Sequence, residues 1–307
     1  MPSLHALLKI WRIIKYPVLL GILAFIISQC GPVLDYVGTH GVDYIYLLLA
    51  AAIFQIGVFL LSYRLQLLLK CAGVLRDYSV VLRAYLESVP YYFISPSGLG
   101  LEMARYYKLK PEQGEKSATL VTLLIDRAAG VLGACFLALL GWRTLLQVAN
   151  MLEPLTLMIV GAIICLLGGA VLILLYRNQG IQQRIKTILS SYRLYKGSLI
   201  IAVFLSVAIQ LTIGLTTYYI ARAFGLEPDL YSLVWVSATG MILIIVPASI
   251  LGFNLLDLPT AYIYTLAGFN LSDATFLILV AYLLRVWLAI QGGVLDLLKK
   301  ERDKIVE

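Results

Sequence analysis

Six long apolar runs constrain this chain more than any other feature. They lie at about 16–30 with its flanks, 44–69, 117–140, 154–176, 198–221 and 274–298 of 307 residues, and no polar stretch between them is long enough to fold on its own. Roughly 20 apolar residues wound as a helix cross the bilayer core with every amide bonded internally, whereas a separate soluble domain needs about 50 residues. The composition is 61% hydrophobic and 13% charged, against about 45–50% and about 25% in soluble chains. The surplus apolar surface requires lipid as its solvent. The expectation is an all-α polytopic membrane protein, a single domain over residues 1–307.

Two further apolar stretches are interrupted. Residues 79–100 contain Pro90 and then Pro96-Ser97-Gly98-Leu99-Gly100, and residues 231–268 contain Pro247, Gly252, Asn254, Asp257 and Pro259. Proline removes a backbone donor and glycine weakens a helix, and backbone freed at membrane depth has to line a cavity walled by protein. Each stretch is therefore expected to be a broken helix or re-entrant hairpin. The turns fall at Pro96, Gly98 and Gly100 in the first and at Pro247 and Gly252 in the second.

Basic residues orient the chain. Lys9, Arg12 and Lys15 precede the first run, Arg64, Lys70 and Arg76 accompany the end of the second, and five more fill the 177–197 loop, whereas the alternate loops hold Asp35, Asp43, Glu153, Glu227 and Asp229 with few cations. The positive-inside rule makes the first set cytoplasmic, and six spans then put both termini there, in a cell inner membrane. No small-residue cleavage site follows the basic N-terminus, so the first run is expected to be retained as a helix. The first hairpin, flanked by Arg76 and by Arg105, Lys108 and Lys110, enters from the cytoplasm, and the second enters from the opposite face.

Composition also narrows the chemistry. The net charge of +7 is scattered over short loops, which favours anionic lipid headgroups over nucleic acid as partner. The only histidines are His5 and His40, and the four cysteines stand singly in or beside apolar runs. That leaves almost no material for a histidine-ligated metal, a haem or a paired-cysteine site, and no cofactor is expected. A Gly-Lys-Ser/Thr phosphate loop is absent from the sequence, so ATP is not the expected energy source. Tyr91-Tyr92, Tyr106-Tyr107 and Tyr218-Tyr219 fall near span ends, as interfacial aromatic belts do.

The interrupted stretches share an order of features. Ile94-Ser95-Pro96-Ser97-Gly98-Leu99-Gly100-Leu101-Glu102 aligns with Val246-Pro247-Ala248-Ser249-Ile250-Leu251-Gly252-Phe253-Asn254, with one residue of slack. Each precedes an Ala-Thr pair, Ala118-Thr119 or Ala274-Thr275, opening an apolar helix with one arginine and then glycines. With hairpins entering from opposite faces this is an inverted-topology repeat, about 44–140 and 198–298, an arrangement that points to a transporter site near the midplane.

At Pro96-Ser97-Gly98-Leu99-Gly100-Leu101-Glu102, with Arg105 and then Asp126-Arg127 following, the sequence resembles the lysylphosphatidylglycerol synthase transmembrane region, also called the flippase-like domain. That family has a Pro-Gly-Gly-x-Gly-Glu element, an arginine shortly after it, an acidic-Arg pair in the next helix and a terminal Gly-Gly, here Gly292-Gly293. This chain departs from the pattern by the single residue between Gly100 and Glu102 and by Asn254, where the family has an Arg-Glu pair. The resemblance covers essentially the whole chain and implies a lipid flippase-like membrane domain with two hairpins. Bifunctional members carry a soluble aminoacyl transferase domain after the membrane part; with Glu307 last here, synthase activity is not implied.

The candidate lipid-binding residues are Glu102, Arg105, Asp126, Arg127, Arg285 and Asn254. Arg127 falls about ten residues into its span, where a charge costs at least roughly 2.5–3.5 kcal/mol and calls for a partner. It either binds a lipid phosphate bidentately or locks helices through an ion pair. Asp126 is its neighbour, but adjacent helix residues point about 100° apart, so Glu102 is an alternative counter-ion. Glu102 is equally suited to cap the restarting helix or to take a cationic headgroup. Arg105 is either a site residue or part of a basic rim with Lys108 and Lys110, and for the lysines the rim is preferred. Arg285 is the repeat partner of Arg127. Gly98, Gly100 and Gly252 permit tight turns, where an amide nest would also suit an oxyanion.

The expected function is translocation of a phosphate-bearing amphiphilic lipid through a polar cavity between the repeats, without enzymatic chemistry. The alternatives are a membrane-embedded glycosyl or aminoacyl transferase acting on a lipid-linked substrate, or an accessory subunit of a lipid-modifying enzyme. Homo-oligomerisation is a further partner expectation.

Overall fold

The computed structural model describes residues 41–94, 99–141, 195–243, 249–250, 253–254, 257–266 and 268–306, together with positions 35 and 38. The expected spans at 16–30 and 154–176, and the turn residues Pro96, Gly98, Pro247 and Gly252, lie outside the described residues. In chain order the elements are α1 (Tyr44–Cys71), α2 (Tyr78–Ser88), α3 (Pro90–Ile94), α4 (Leu99–Lys108), α5 (Lys116–Ala138), α6 (Lys196–Ala223), α7 (Leu230–Leu243), β1 (Ser249–Ile250), β2 (Phe253–Asn254), α8 (Asp257–Leu266) and α9 (Leu271–Val306).

Four helices are long and apolar enough to cross a membrane: α1, α5 with the 3-10 turn that extends it to Gly141, α6, and α9 as far as Leu298. At 1.5 Å per residue the 28 residues of α1 make a rod of about 42 Å, longer than the roughly 30 Å hydrocarbon core. Their outer faces display large apolar side chains such as Leu124, Leu132, Phe136, Phe204 and Leu283, which only lipid can solvate. The chain is a multi-pass membrane protein.

Both interrupted stretches are broken as their prolines require. In the first, the helix stops at Ser88 and restarts with Pro90 at its first position, where the missing N–H would have no intrahelical partner. The chain then turns back, so that α4 packs on α2. In the second, between α7 and α8, the backbone forms a two-residue antiparallel ladder, with Ser249 opposite Asn254 and Ile250 opposite Phe253, a local feature of a chain that is all-helical as expected. Pro259 falls in the first turn of α8, where its missing N–H has no intrahelical partner to lose.

The centre of the fold is an antiparallel contact between α1 and α6. The Asp43 amide donates to the Ala223 carbonyl at one end, Gly57 faces Thr212 in the middle, and Arg64 reaches Ser206 further along. Helix α5 runs beside α6 so closely that a Cβ on Gly133 would meet the Ser206 backbone at 2.8 Å. Small residues permit that approach, which is how helices associate where no water is left to expel.

Two features recur. Both 28-residue helices, α1 and α6, end in a left-handed glycine, Gly73 (φ 79°) and Gly225 (φ 71°), followed by an amide bonded back to the last turn, Val74 to Leu69 and Leu226 to Ala221. An aspartate then precedes the next helix, Asp77 before α2 and Asp229 before α7. In each pair the second residue lies 152 positions after the first. The last long helix of each half also packs on the broken stretch of the other, α5 on α7 and α9 on α2.

The loop before α5 is tied down electrostatically. Arg76 donates to Glu115 at 2.5 Å, and the Glu112 amide donates to the same carboxylate at 3.0 Å. The Glu112 amide first, and then Arg76, hold the Glu115 carboxyl below the ordinary carboxylate range against its partial desolvation. A depressed folded pKa contributes stability above the unfolded value, near 4.3, and loses it as pH falls through the folded value. Glu115→Gln is expected to lower stability by about 0.5–1 kcal/mol at neutral pH, and the gap to close below about pH 4. Thermal unfolding in detergent micelles at both pH values checks this; an equal gap at both rules out the bridge as its cause.

Candidate functional site

Among the described residues four charged side chains are buried: Arg64, Glu87, Arg105 and Asp126. None is affordable alone in an apolar interior, so each partner carries information.

Arg64 and Asp126 pair across α1 and α5, with Nε donating to Oδ1 at 2.7 Å. The other arm of the guanidinium donates to Ser206 Oγ on α6 at 2.9 Å, and the Ser206 hydroxyl in turn donates a hydrogen bond to the Ala202 carbonyl at 2.8 Å. Gly130 faces the guanidinium, and a Cβ there would meet it at an ordinary contact distance of 3.5 Å. Three helices are joined at one fully compensated pair. The sequence reading placed Arg64 among the rim charges; it lies instead inside the span with its side chain 4% exposed.

Arg105 is compensated less completely. Its side chain, 3% exposed, lies over the Tyr85 ring with Cζ 3.9 Å from the ring centre, a cation–π contact that stabilises a desolvated guanidinium. One terminal nitrogen reaches Glu102 at 3.3 and 3.4 Å. Nε and the second terminal nitrogen are buried and donate to nothing among the described residues. Asp126 lies within electrostatic reach of Arg105 and Tyr85, so the two clusters are neighbours.

A third cluster joins α2, α4 and α9. Lys108 contacts Glu87 at 3.3 Å and makes a short ion pair with Asp296, while Arg83 stands 3.5 Å from the other Glu87 oxygen. Lys108 is therefore not the plain rim cation expected, because the return of α4 onto α2 turns it inward. The cluster borders a groove of about 630 Å³ whose charged lining is Arg76, Arg83, Glu87, Lys108 and Lys110.

The structure thus brings together Glu102 and Arg105, with Asp126 within electrostatic reach of Arg105. It gives both candidate counter-ions of Arg127 to other arginines: Asp126 bonds Arg64 and Glu102 bonds Arg105. Arg127 is partly buried and has no hydrogen bond or ion pair among the described residues. Arg285 lies 5.9 Å from the Tyr282 ring centre on α9, and Gly100 falls in the first turn of α4. Asn254 is in β2. Sequence reading expected Glu87 to face the protein interior, as it does, but did not foresee the pairing of Arg64 with Asp126, of Tyr85 with Arg105, or of Lys108 with Glu87 and Asp296. The available signal was a glutamate and an arginine, Glu87 and Arg64, standing inside stretches that are otherwise apolar.

Long apolar helices around buried ion pairs, with broken helices folded between them, define a polytopic membrane protein of the kind that carries polar groups inside the bilayer. The chain belongs to the family described as the lysylphosphatidylglycerol synthase TM region, which it matches over residues 12–293. Neither a curated protein nor a solved structure matches it.

Proposed function

We propose that the protein binds a phosphate-bearing amphiphilic lipid and moves it across the cytoplasmic membrane, with both termini on the cytoplasmic side. Membership of a family named for the membrane region of a lipid-modifying protein supports a role with lipids. The observation that carries the reading is Arg105. Its buried guanidinium keeps two donor positions free among the described residues, on the side chain best shaped to grip a phosphate through two parallel hydrogen bonds. A buried donor left unmade costs about 1–3 kcal/mol, more for a charged group, and a phosphate oxygen removes that cost when it arrives.

The pathway is formed between two inverted repeats. The 152-residue recurrence of helix length, glycine cap and aspartate, the antiparallel α1–α6 contact and the exchange of α5 and α9 between the halves all support that symmetry. Helices α2 to α4, and α7 with α8, are then the two re-entrant hairpins, entering from opposite faces. Rocking one half against the other exposes the headgroup to each side in turn while the acyl chains stay in lipid.

In vesicles carrying a fluorescent phospholipid, the wild-type protein is expected to accelerate leaflet exchange over protein-free vesicles, and Arg105→Gln to remove about nine-tenths of that acceleration, a loss of about 1.4 kcal/mol. Equal exchange with and without wild-type protein refutes translocation. Undiminished exchange by Arg105→Gln refutes Arg105 as the phosphate seat.

A further inference from the structure

The cations on and around α4 form a graded series. Arg105 and Lys108 are three residues apart and share a helix face, with Lys108 roughly 4.5 Å further along the axis. Side-chain exposure rises from 3% at Arg105 to 20% at Lys108 and 48% at Arg83. The groove of about 630 Å³ opens on Lys108 and Arg83, and its volume suits a polar headgroup.

Lys108 differs from the other cations of the series by holding two carboxylates that come from different helices, Glu87 on α2 and Asp296 on α9. Glu87 is 2% exposed, and its Oε1 accepts no hydrogen bond while Arg83 stands 3.5 Å from it. Two anions thus share one ammonium, and one of them has a second cation within closing distance. An entering phosphate is a third anion, one that offers two or more strong acceptor oxygens to the same ammonium. If it takes Lys108, Glu87 falls to Arg83, and Asp296 is 17% exposed and so within reach of water, which leaves neither carboxylate stranded.

We propose that this groove is the entry vestibule for the phosphate group and that Lys108 exchanges Glu87 and Asp296 for phosphate oxygens before the group passes to Arg105. The vestibule rests on the reading of Arg105 as the seat. The exchange also loosens the tie between α4 and α9, and so couples arrival of cargo to movement of the first broken stretch against the last helix.

The test is binding of dihexanoyl phosphatidic acid and of inorganic phosphate to the full chain in detergent micelles. Asp296→Asn removes a competitor for Lys108 and is expected to tighten binding about three- to tenfold; Lys108→Gln is expected to weaken it about tenfold, and Lys108→Arg to retain it. A tightening cannot come from misfolding, so the Asp296 variant stands even if Lys108→Gln folds poorly. Stronger competition by the amphiphile identifies a lipid headgroup as the source, and equal competition by inorganic phosphate identifies a free phosphate. Affinities within twofold of wild type for both Asp296→Asn and Lys108→Gln overturn the vestibule. If that result accompanies an Arg105→Gln protein defective in translocation, the vestibule alone fails. If the affinities shift while Arg105→Gln translocates normally, the seat alone fails.

Discussion

Arg64→Met is expected to destabilise the protein by about 3–5 kcal/mol, the cost of leaving one member of a buried ion pair without its partner. Asp126 is 5% exposed and Arg64 is the cation bonded to it, at 2.7 Å. Without Arg64, its carboxylate must take up a proton or drag water between α1, α5 and α6. Asp126→Leu has the converse effect and strands the guanidinium, with Ser206 as its remaining hydrogen-bond partner. The double variant Arg64→Met/Asp126→Leu removes both charges and fills the space with apolar volume, so it is expected to recover most of the loss, since buried pairs are often no better than apolar replacements. Thermal unfolding of the four proteins in micelles measures the coupling. Two single variants within about 1 kcal/mol of wild type would show that the pair is not compensated as drawn.

That pair also marks the boundary of what the sequence discloses. The runs at 44–69, 117–140 and 198–221 and the helices α1, α5 and α6 agree to within a few residues, because an apolar run that must hide its amides from lipid has one solution. Pro90 announced the break after α2 for the same covalent reason. Pairings are different. Asp126 is 62 residues from Arg64, Ser206 is 142 from it, and Lys108 is 188 from Asp296. Which of these meet depends on the rotation and register of helices packed against one another, and a charge's own sequence neighbourhood carries neither. Asp126 and Arg127 show the consequence. They are adjacent, and the helix directs one inward to Arg64 while the other keeps clear of it. Glu102 and Arg105 are one turn apart on one short helix, where spacing alone brings them within reach, yet the sequence reading offered Glu102 to Arg127 and did not pair it with Arg105.

Gly292→Ala is expected to destabilise by about 1–3 kcal/mol although it adds a single methyl group. The added Cβ would overlap the Leu86 carbonyl oxygen and crowd the Leu86 carbonyl carbon at 2.7 Å. Both atoms are backbone, so no rotamer change relieves the clash, and α9 must draw away from α2. Gly293→Ala is the internal control. A Cβ there would meet Pro90 Cγ at 4.0 Å, an ordinary contact, and alanine is the better helix former by about 1 kcal/mol, so that variant is expected to be neutral or slightly stabilising. The displaced surface carries the ion cluster: Glu87 follows Leu86, and Asp296 lies one turn beyond Gly292. Separation of α9 from α2 therefore lengthens the link from Lys108, held on α4 beside α2, to Asp296. The same methyl group is expected to cost stability and to free Lys108, so Gly292→Ala should be less stable than wild type yet bind dihexanoyl phosphatidic acid more tightly, as Asp296→Asn does. A Gly292→Ala protein as stable as Gly293→Ala would show that α9 and α2 do not approach this closely. One that is unstable but unchanged in affinity would separate the packing of these helices from the hold they keep on Lys108.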